Sequence, residues 1–229
     1  MYTDSFIANI ETGIKANWDL PALSDYKKEP IKYSEVAERI AKLHIFFEKA
    51  GIERGDKIVI CGRNSTYWAI SFFATITYGA VAVPLLHEFK SEAVTHLVNH
   101  SDGKLLIVGD VVWEGLDADE MPNLCAAIQM QNFELVSCKD ERFKQAYQSI
   151  KDDFLAAYPD GFTKEDVSYQ RDRLDDLALI NYTSGTTSMS KGVMLSYRAL
   201  LSNYMFACEV LPNLCAGMNV ISMLPMAHM

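Results

Sequence analysis

The run Thr183, Ser184, Gly185, Thr186, Thr187, Ser188, Met189, Ser190, Lys191, Gly192 gathers more chemistry than any other stretch of the chain. Six of the eight residues from Thr183 to Ser190 carry a hydroxyl, Gly185 lets the backbone turn tightly, and Lys191 sets a positive charge at the far end. Hydroxyls and free backbone N–H groups can wrap phosphate oxygens, and a lysine acts on them as a mobile point charge. The bland alternative is a polar turn in which Thr183, Ser184, Thr186 and Thr187 cap backbone groups and Lys191 is merely solvated. A nucleoside-triphosphatase loop of the form G-x-x-x-x-G-K-[ST] does not fit. Counting from Gly185, the second glycine is replaced by Ser190, and Gly192 stands where a metal-binding hydroxyl is required.

These residues need a scaffold, and the surrounding sequence supplies one. Leu177–Tyr182 is an apolar run that predicts a strand leading into the loop, and a helix is expected from Ser196 to about Leu211. Upstream, Val36, Ile40, Leu43 and Phe47 recur at helical spacing, with Ser34 as the expected cap and Gly51 as the stop. Strands are expected at 57–62, 80–84 and 104–109, separated by helices at about 64–78 and 91–99. A last strand is expected at 219–224, and 139–176 reads as one or two surface helices with a connector. Strands alternating with helices give right-handed βαβ units. The fold class is therefore α/β, a mostly parallel β-sheet with helices on both faces. Such a sheet binds ligands beyond the carboxyl ends of its strands, where the strand before Thr183 delivers the loop.

Composition narrows the function classes. The chain has 229 residues and a formal net charge of −9, which argues against a nucleic-acid surface but leaves room for one anionic ligand held by a local loop. Cys61, Cys125, Cys138, Cys208 and Cys215 are scattered without a C-x-x-C pair, which fits a reducing cytoplasm better than a disulfide framework or a zinc site. No Asp, Glu, Lys or Arg occurs from Asn64 to His87, a length that could cross a bilayer. Gly79 and Pro84 divide it, so a buried helix followed by a strand is expected instead of a membrane span. His44, His87, His96 and His100 show no spacing that suggests a metal, and Met194, Met205, Met218, Met223 and Met226 are expected to fill core or line a tunnel.

The loop resembles the signature of the adenylate-forming (acyl-CoA synthetase, AMP-binding) superfamily, Y-T-S-G-T-T-G-x-P-K-G-V. The chain reads Tyr182 to Val193 in that frame, with Ser188 in place of the usual Gly and Ser190 in place of Pro. Further resemblances follow in order: Gly51–Ile60 to G-x-x-x-G-D-x-V, Tyr78–Leu85 to x-G-A-x-x-V-P-L, Asn99–Asp102 to the next unit, and Leu224–His228 to L-P-L-x-H. Together they cover almost everything from about residue 30.

The resemblance implies a ligase that uses ATP with Mg²⁺ to turn a carboxylic acid into an acyl-adenylate and then, with coenzyme A as co-substrate, into a thioester. It implies phosphate contacts from Thr183, Ser184, Gly185, Thr186, Thr187, Ser188, Lys191 and Gly192, with Thr186 also near the metal. Lys191 and His228 are the implied catalytic residues, the histidine either orienting the carboxylate or gating the acyl tunnel.

The form of Pro84–Ala93 looks most like fatty-acyl-CoA synthetases of the medium- to long-chain group, with an aryl-CoA ligase or an amino-acid adenylation domain as rivals. Residues 1–229 would be the first part of the ATP- and acyl-binding N-terminal domain, without the C-terminal lid domain, and little active alone. The rival of another class is a stand-alone nucleotide-binding or self-associating module. The expected partner is a small-molecule carboxylic acid, with homo-oligomer formation and peripheral membrane contact left open.

Overall fold

A computed structural model describes residues 3–183 and 191–228. Its centre is a seven-stranded sheet. β3 (Lys57–Cys61), β4 (Val81–Leu85), β5 (Gly103–Val108), β6 (Ala126–Gln129) and β8 (Leu177–Thr183) run parallel in the spatial order β6-β5-β3-β4-β8. Antiparallel strands close the two edges, β7 (Leu135–Cys138) beside β6 and β9 (Lys191–Ser196) beside β8.

Strands covered on both faces are apolar at nearly every position, and the alternation of side chains sorts them into two cores. Ile58, Ile60, Leu105, Ile107 and Ile128 point into the larger core, while Val59, Val83, Leu106 and Val108 point into the smaller one. The larger face is covered by α1 (Phe6–Ala16), α2 (Tyr33–Ala50), α3 (Thr66–Tyr78), α6 (Glu141–Ala157) and the start of α7 (Tyr197–Val210). The smaller face is covered by α4 (Ser91–His100) and the segment around the short helix α5 (Asp110–Trp113). The α3 crossover from β3 to β4 and the α4 crossover from β4 back across β3 to β5 thus lie on opposite faces, the doubly wound arrangement of right-handed units.

The charge-free stretch from residue 64 is resolved as expected. Ser65 accepts from Trp68 N at 3.1 Å to begin α3, and Gly79 at φ 91° ends it. The helix has 13 residues, and Ser71 and Thr75 return their hydroxyls to carbonyls four residues back at 2.7 Å, which satisfies them inside the core. Among the described residues no helix is long and apolar enough to cross a membrane.

Several expectations need correction. The cap of α2 is Lys32, not Ser34: Glu35 reaches back to accept from Lys32 N at 2.8 Å, which fixes the first turn two residues earlier. Ser91 is likewise the first helical residue of α4, after its cap Lys90. Residues 191–196 form the edge strand β9 rather than running from loop straight into helix, because Gly192, Val193, Met194 and Leu195 pair with β8. The strand expected at 219–224 is absent. Those residues are irregular and exposed, with Ile221 and Met223 83% and 85% accessible, and they pair with no described strand. Three further features were not expected from the sequence: α1, the small hairpin of β1 (Pro21–Leu23) and β2 (Ile31–Lys32), and the pair β6–β7.

Candidate active site at the carboxyl edge

β8 is parallel to β4, so Thr183 leaves the sheet at the same edge as Leu85 of β4, Cys61 of β3 and Val108 of β5. Thr183 and Lys191 are directly opposite each other in the β8–β9 ladder, a pairing that sets their Cα atoms about 5 Å apart. The hydroxyl-rich segment therefore starts and finishes at one point on the carboxyl edge. Both residues are exposed, and Lys191 takes part in no ion pair among the described residues. Ser184, Gly185, Thr186, Thr187 and Ser188 lie outside the described residues.

The base of this hairpin is fixed from beneath. Tyr182 turns into the smaller core, 4% accessible, and its hydroxyl meets His100 Nδ1 of α4 at 2.6 Å. Burial raises the Tyr182 pKa, with Asp102 adding to the effect, so the phenol stays protonated. Tyr182 is thus a buried anchor rather than a ligand contact, and His100 is its partner, a role that its sequence position did not reveal.

Gly192 faces Tyr182 across the ladder. A Cβ there would stand 3.0 Å from Ile180 Cγ2 and 3.2 Å from Tyr182 Cε1. The close approach leaves little room for a side chain at Gly192 unless Ile180 and Tyr182 shift by a few tenths of an ångström. Gly192→Ala is expected to lower stability by about 1–3 kcal/mol through overpacking against a tyrosine that His100 prevents from moving away. Urea unfolding would measure this, and an unchanged midpoint would mean that Ile180 and Tyr182 yield freely.

His228 reaches the same edge by a different route. The Asn64 side chain, just past β3, donates to Leu224 O at 2.7 Å and accepts from Met226 N at 2.8 Å. His228 N then donates to Pro225 O at 2.9 Å, closing a turn that presents an exposed His228 above buried Ala227. Asn64 was not singled out in the sequence, since one asparagine between a strand and a helix looks like an ordinary turn residue. β3 and β8 are separated only by β4, so the clamp and the hairpin are roughly 10 Å apart across the edge. His87 follows β4 between them, with Nε2 3.9 Å from Glu88 Oε1.

The carboxyl edge of an open α/β sheet thus brings together the paired Thr183 and Lys191 on one side and the His228 turn on the other. The profile of the family "AMP-binding enzyme" matches residues 10–229, and the chain belongs to that family. It is 29% identical to long-chain-fatty-acid–CoA ligase 1 of Homo sapiens over 96% of the chain and 33% of the relative. It is 28% identical to long chain acyl-CoA synthetase 5 of Arabidopsis thaliana over 86% of the chain and 30% of the relative. The crystal structure of a long-chain-fatty-acid-CoA ligase from Archaeoglobus fulgidus superposes with a TM-score of 0.74 at 21% identity, covering all of this chain and 44% of that one. The chain therefore spans about a third of the length of the curated relatives it matches.

Proposed function

We propose that this chain is the first part of the ATP- and acyl-binding domain of a longer enzyme that activates a medium- to long-chain fatty acid. The acid's carboxylate oxygen attacks the α-phosphorus of ATP, the bond to the bridging oxygen breaks, and pyrophosphate leaves. The acyl-adenylate then passes its acyl group to the thiol of coenzyme A, which loses its proton, and AMP is released. The observation that carries this reading is the pairing of Thr183 with Lys191, which closes a hydroxyl-rich segment at the carboxyl edge. Two anions must meet in the first step, so the barrier is largely electrostatic. Lys191 neutralises the departing pyrophosphate, and the Thr183 hydroxyl donates to one of its oxygens.

His228 is held by the Asn64 clamp to face the carboxylate or gate its approach. Mg²⁺ would add charge to the phosphates. Among the described residues no group of three His, Cys, Asp or Glu is placed to hold a metal, so no step here is assigned to it. The fatty-acid preference is supported by the human and plant relatives named above. The 229-residue chain by itself is expected to turn over little.

ATP–pyrophosphate exchange by the longer protein, tried with fatty, aromatic and amino acids, tests this reading. Exchange should depend on a fatty acid. Exchange only with aromatic or amino acids would move the substrate class to those rivals, and none with any acid would remove the enzyme reading.

A further inference from the structure

A cleft of about 430 Å³ opens between α2, α6 and the turn that joins β6 to β7. That volume lies within the range of small-molecule sites. Phe46 and Ile128 line it from the core beneath, Phe133 from the turn and Ile150 from α6. The same cleft is edged by Arg39, Lys42 and Lys151 and by no carboxylate, in a chain whose net charge is −9. Lys42 is neutralised by Glu38 at 2.5 Å. Arg39 lies with its guanidinium over the Tyr67 ring at 5.3 Å, and among the described residues neither it nor Lys151 has a carboxylate within ion-pair distance. Two unneutralised cations thus edge an apolar hollow.

The turn that forms one wall is itself unusual. Phe133 has φ 58°, a left-handed conformation that bulky residues seldom adopt. It is held there because Phe133 N donates to Gln129 O at 2.8 Å, Gln129 N donates to Glu134 O at 2.7 Å, and the ring packs edge-on against Tyr67 at 5.1 Å. The strained backbone directs an aromatic ring toward the cleft instead of leaving the turn polar. β6 lies four strands from β8, roughly 19 Å from the hairpin, so this hollow is separate from the candidate active site.

We propose that the cleft is a second binding site for an amphipathic carboxylate of the fatty-acid class. The hydrocarbon lies against Phe46, Ile128, Phe133 and Ile150, and the carboxylate is received by Arg39 and Lys151. Apolar walls alone would take any greasy molecule, and cations alone any anion. Their combination selects a molecule with a hydrocarbon tail and one anionic end. The site requires neither ATP nor Lys191.

The experiment is photo-crosslinking of the chain with decanoic acid bearing a diazirine on its tail, with adducts mapped by mass spectrometry. Adducts are expected within 128–133 and 143–151. The double variant Arg39→Gln/Lys151→Gln should lower them at least tenfold without moving the unfolding midpoint, and the matching diazirine alcohol should label at least tenfold less than the acid. Lys191→Ala should leave this labelling unchanged, which separates the cleft from the active-site reading. Four outcomes would overturn the proposal: no adduct in the cleft, adducts confined to the carboxyl edge, equal labelling by the alcohol, or equal labelling of the double variant. It would also fall if the chain sedimented with anionic phosphatidylglycerol vesicles through Arg39 and Lys151 but was not labelled by free decanoate, because the cations would then serve a membrane surface.

Discussion

Lys191→Ala is expected to lower ATP–pyrophosphate exchange by the longer protein about 100- to 1,000-fold, the usual effect of removing one pre-positioned donor from a developing anion. The physical reason lies in where the sheet puts the charge. Lys191 is the first residue of β9 and is paired with Thr183 at the end of β8, so its Cα position is fixed at the carboxyl edge by a hydrogen-bonded ladder while its side chain is exposed. A unit charge about 4 Å from a phosphate oxygen contributes about 4 kcal/mol at the effective dielectric of a protein surface, which matches that rate effect. Folding should hardly change, because surface substitutions away from packed features stay within about 0.5 kcal/mol. Lys191→Arg should keep part of the rate, since the charge remains but its shape and reach differ. Exchange by the alanine variant within threefold of the parent would remove Lys191 from the chemistry.

The hairpin and the histidine turn are positioned by contacts unequal in how visible they are. The strand residues Ile58–Ile60 and Leu105–Val108 could be read directly, because a parallel strand buried on both faces must be apolar along its length. The stop at Gly51 and the break at Gly79 were legible for a different reason: both adopt positive φ, 76° and 91°, which few other residues accept. β9 was not legible, since Lys191–Ser196 is an edge strand with exposed Val193 and Met194 and gains its identity from pairing with β8 alone. The opposite error at 219–224 has the same cause. An apolar run is a strand only when a neighbour supplies hydrogen bonds, and composition says nothing about that neighbour.

Long-range polar pairs were the least visible part of the site. Tyr182 and His100 are 82 residues apart, and Asn64 and Met226 are 162 apart, yet these contacts hold the hairpin base and the histidine turn. The N-terminus of α1 is another case. Asp172 accepts from Phe6 N at 3.0 Å and Ile7 N at 3.3 Å, a capping partner that no local pattern could name. The local signature names the residues proposed to grip phosphate, but the contacts that hold Tyr182 and the His228 turn in place are visible only in the fold.

A second large effect is expected from acid, through His44. Its Nε2 lies 3.0 Å from Ala74 O and 3.1 Å from Thr77 Oγ1, and the rings of Tyr78 and Tyr169 pack edge-on at 5.4 and 5.6 Å. Burial among these groups pushes its pKa down to about 4, with only the Ala74 carbonyl opposing the shift. The imidazole is therefore neutral in the folded chain at pH 7, whereas the unfolded chain titrates near the ordinary value of 6.5. Between those two values the unfolded state binds more protons, so stability falls as the pH drops from about 6.5 toward about 4. The full window corresponds to something on the order of 3 kcal/mol, and the part from pH 6.5 to pH 5 to about 2 kcal/mol.

Carboxylates such as Asp140 and Asp166, whose pKa values are lowered by hydrogen bonds from Arg142 and Thr163, lose their contributions only further into acid. The two effects therefore separate on the pH axis. His44→Gln removes the titration while keeping a side-chain donor, so its urea midpoint should vary much less than the parent's between pH 6.5 and pH 5. Parallel curves for parent and variant would show that His44 is not what makes the fold acid-sensitive.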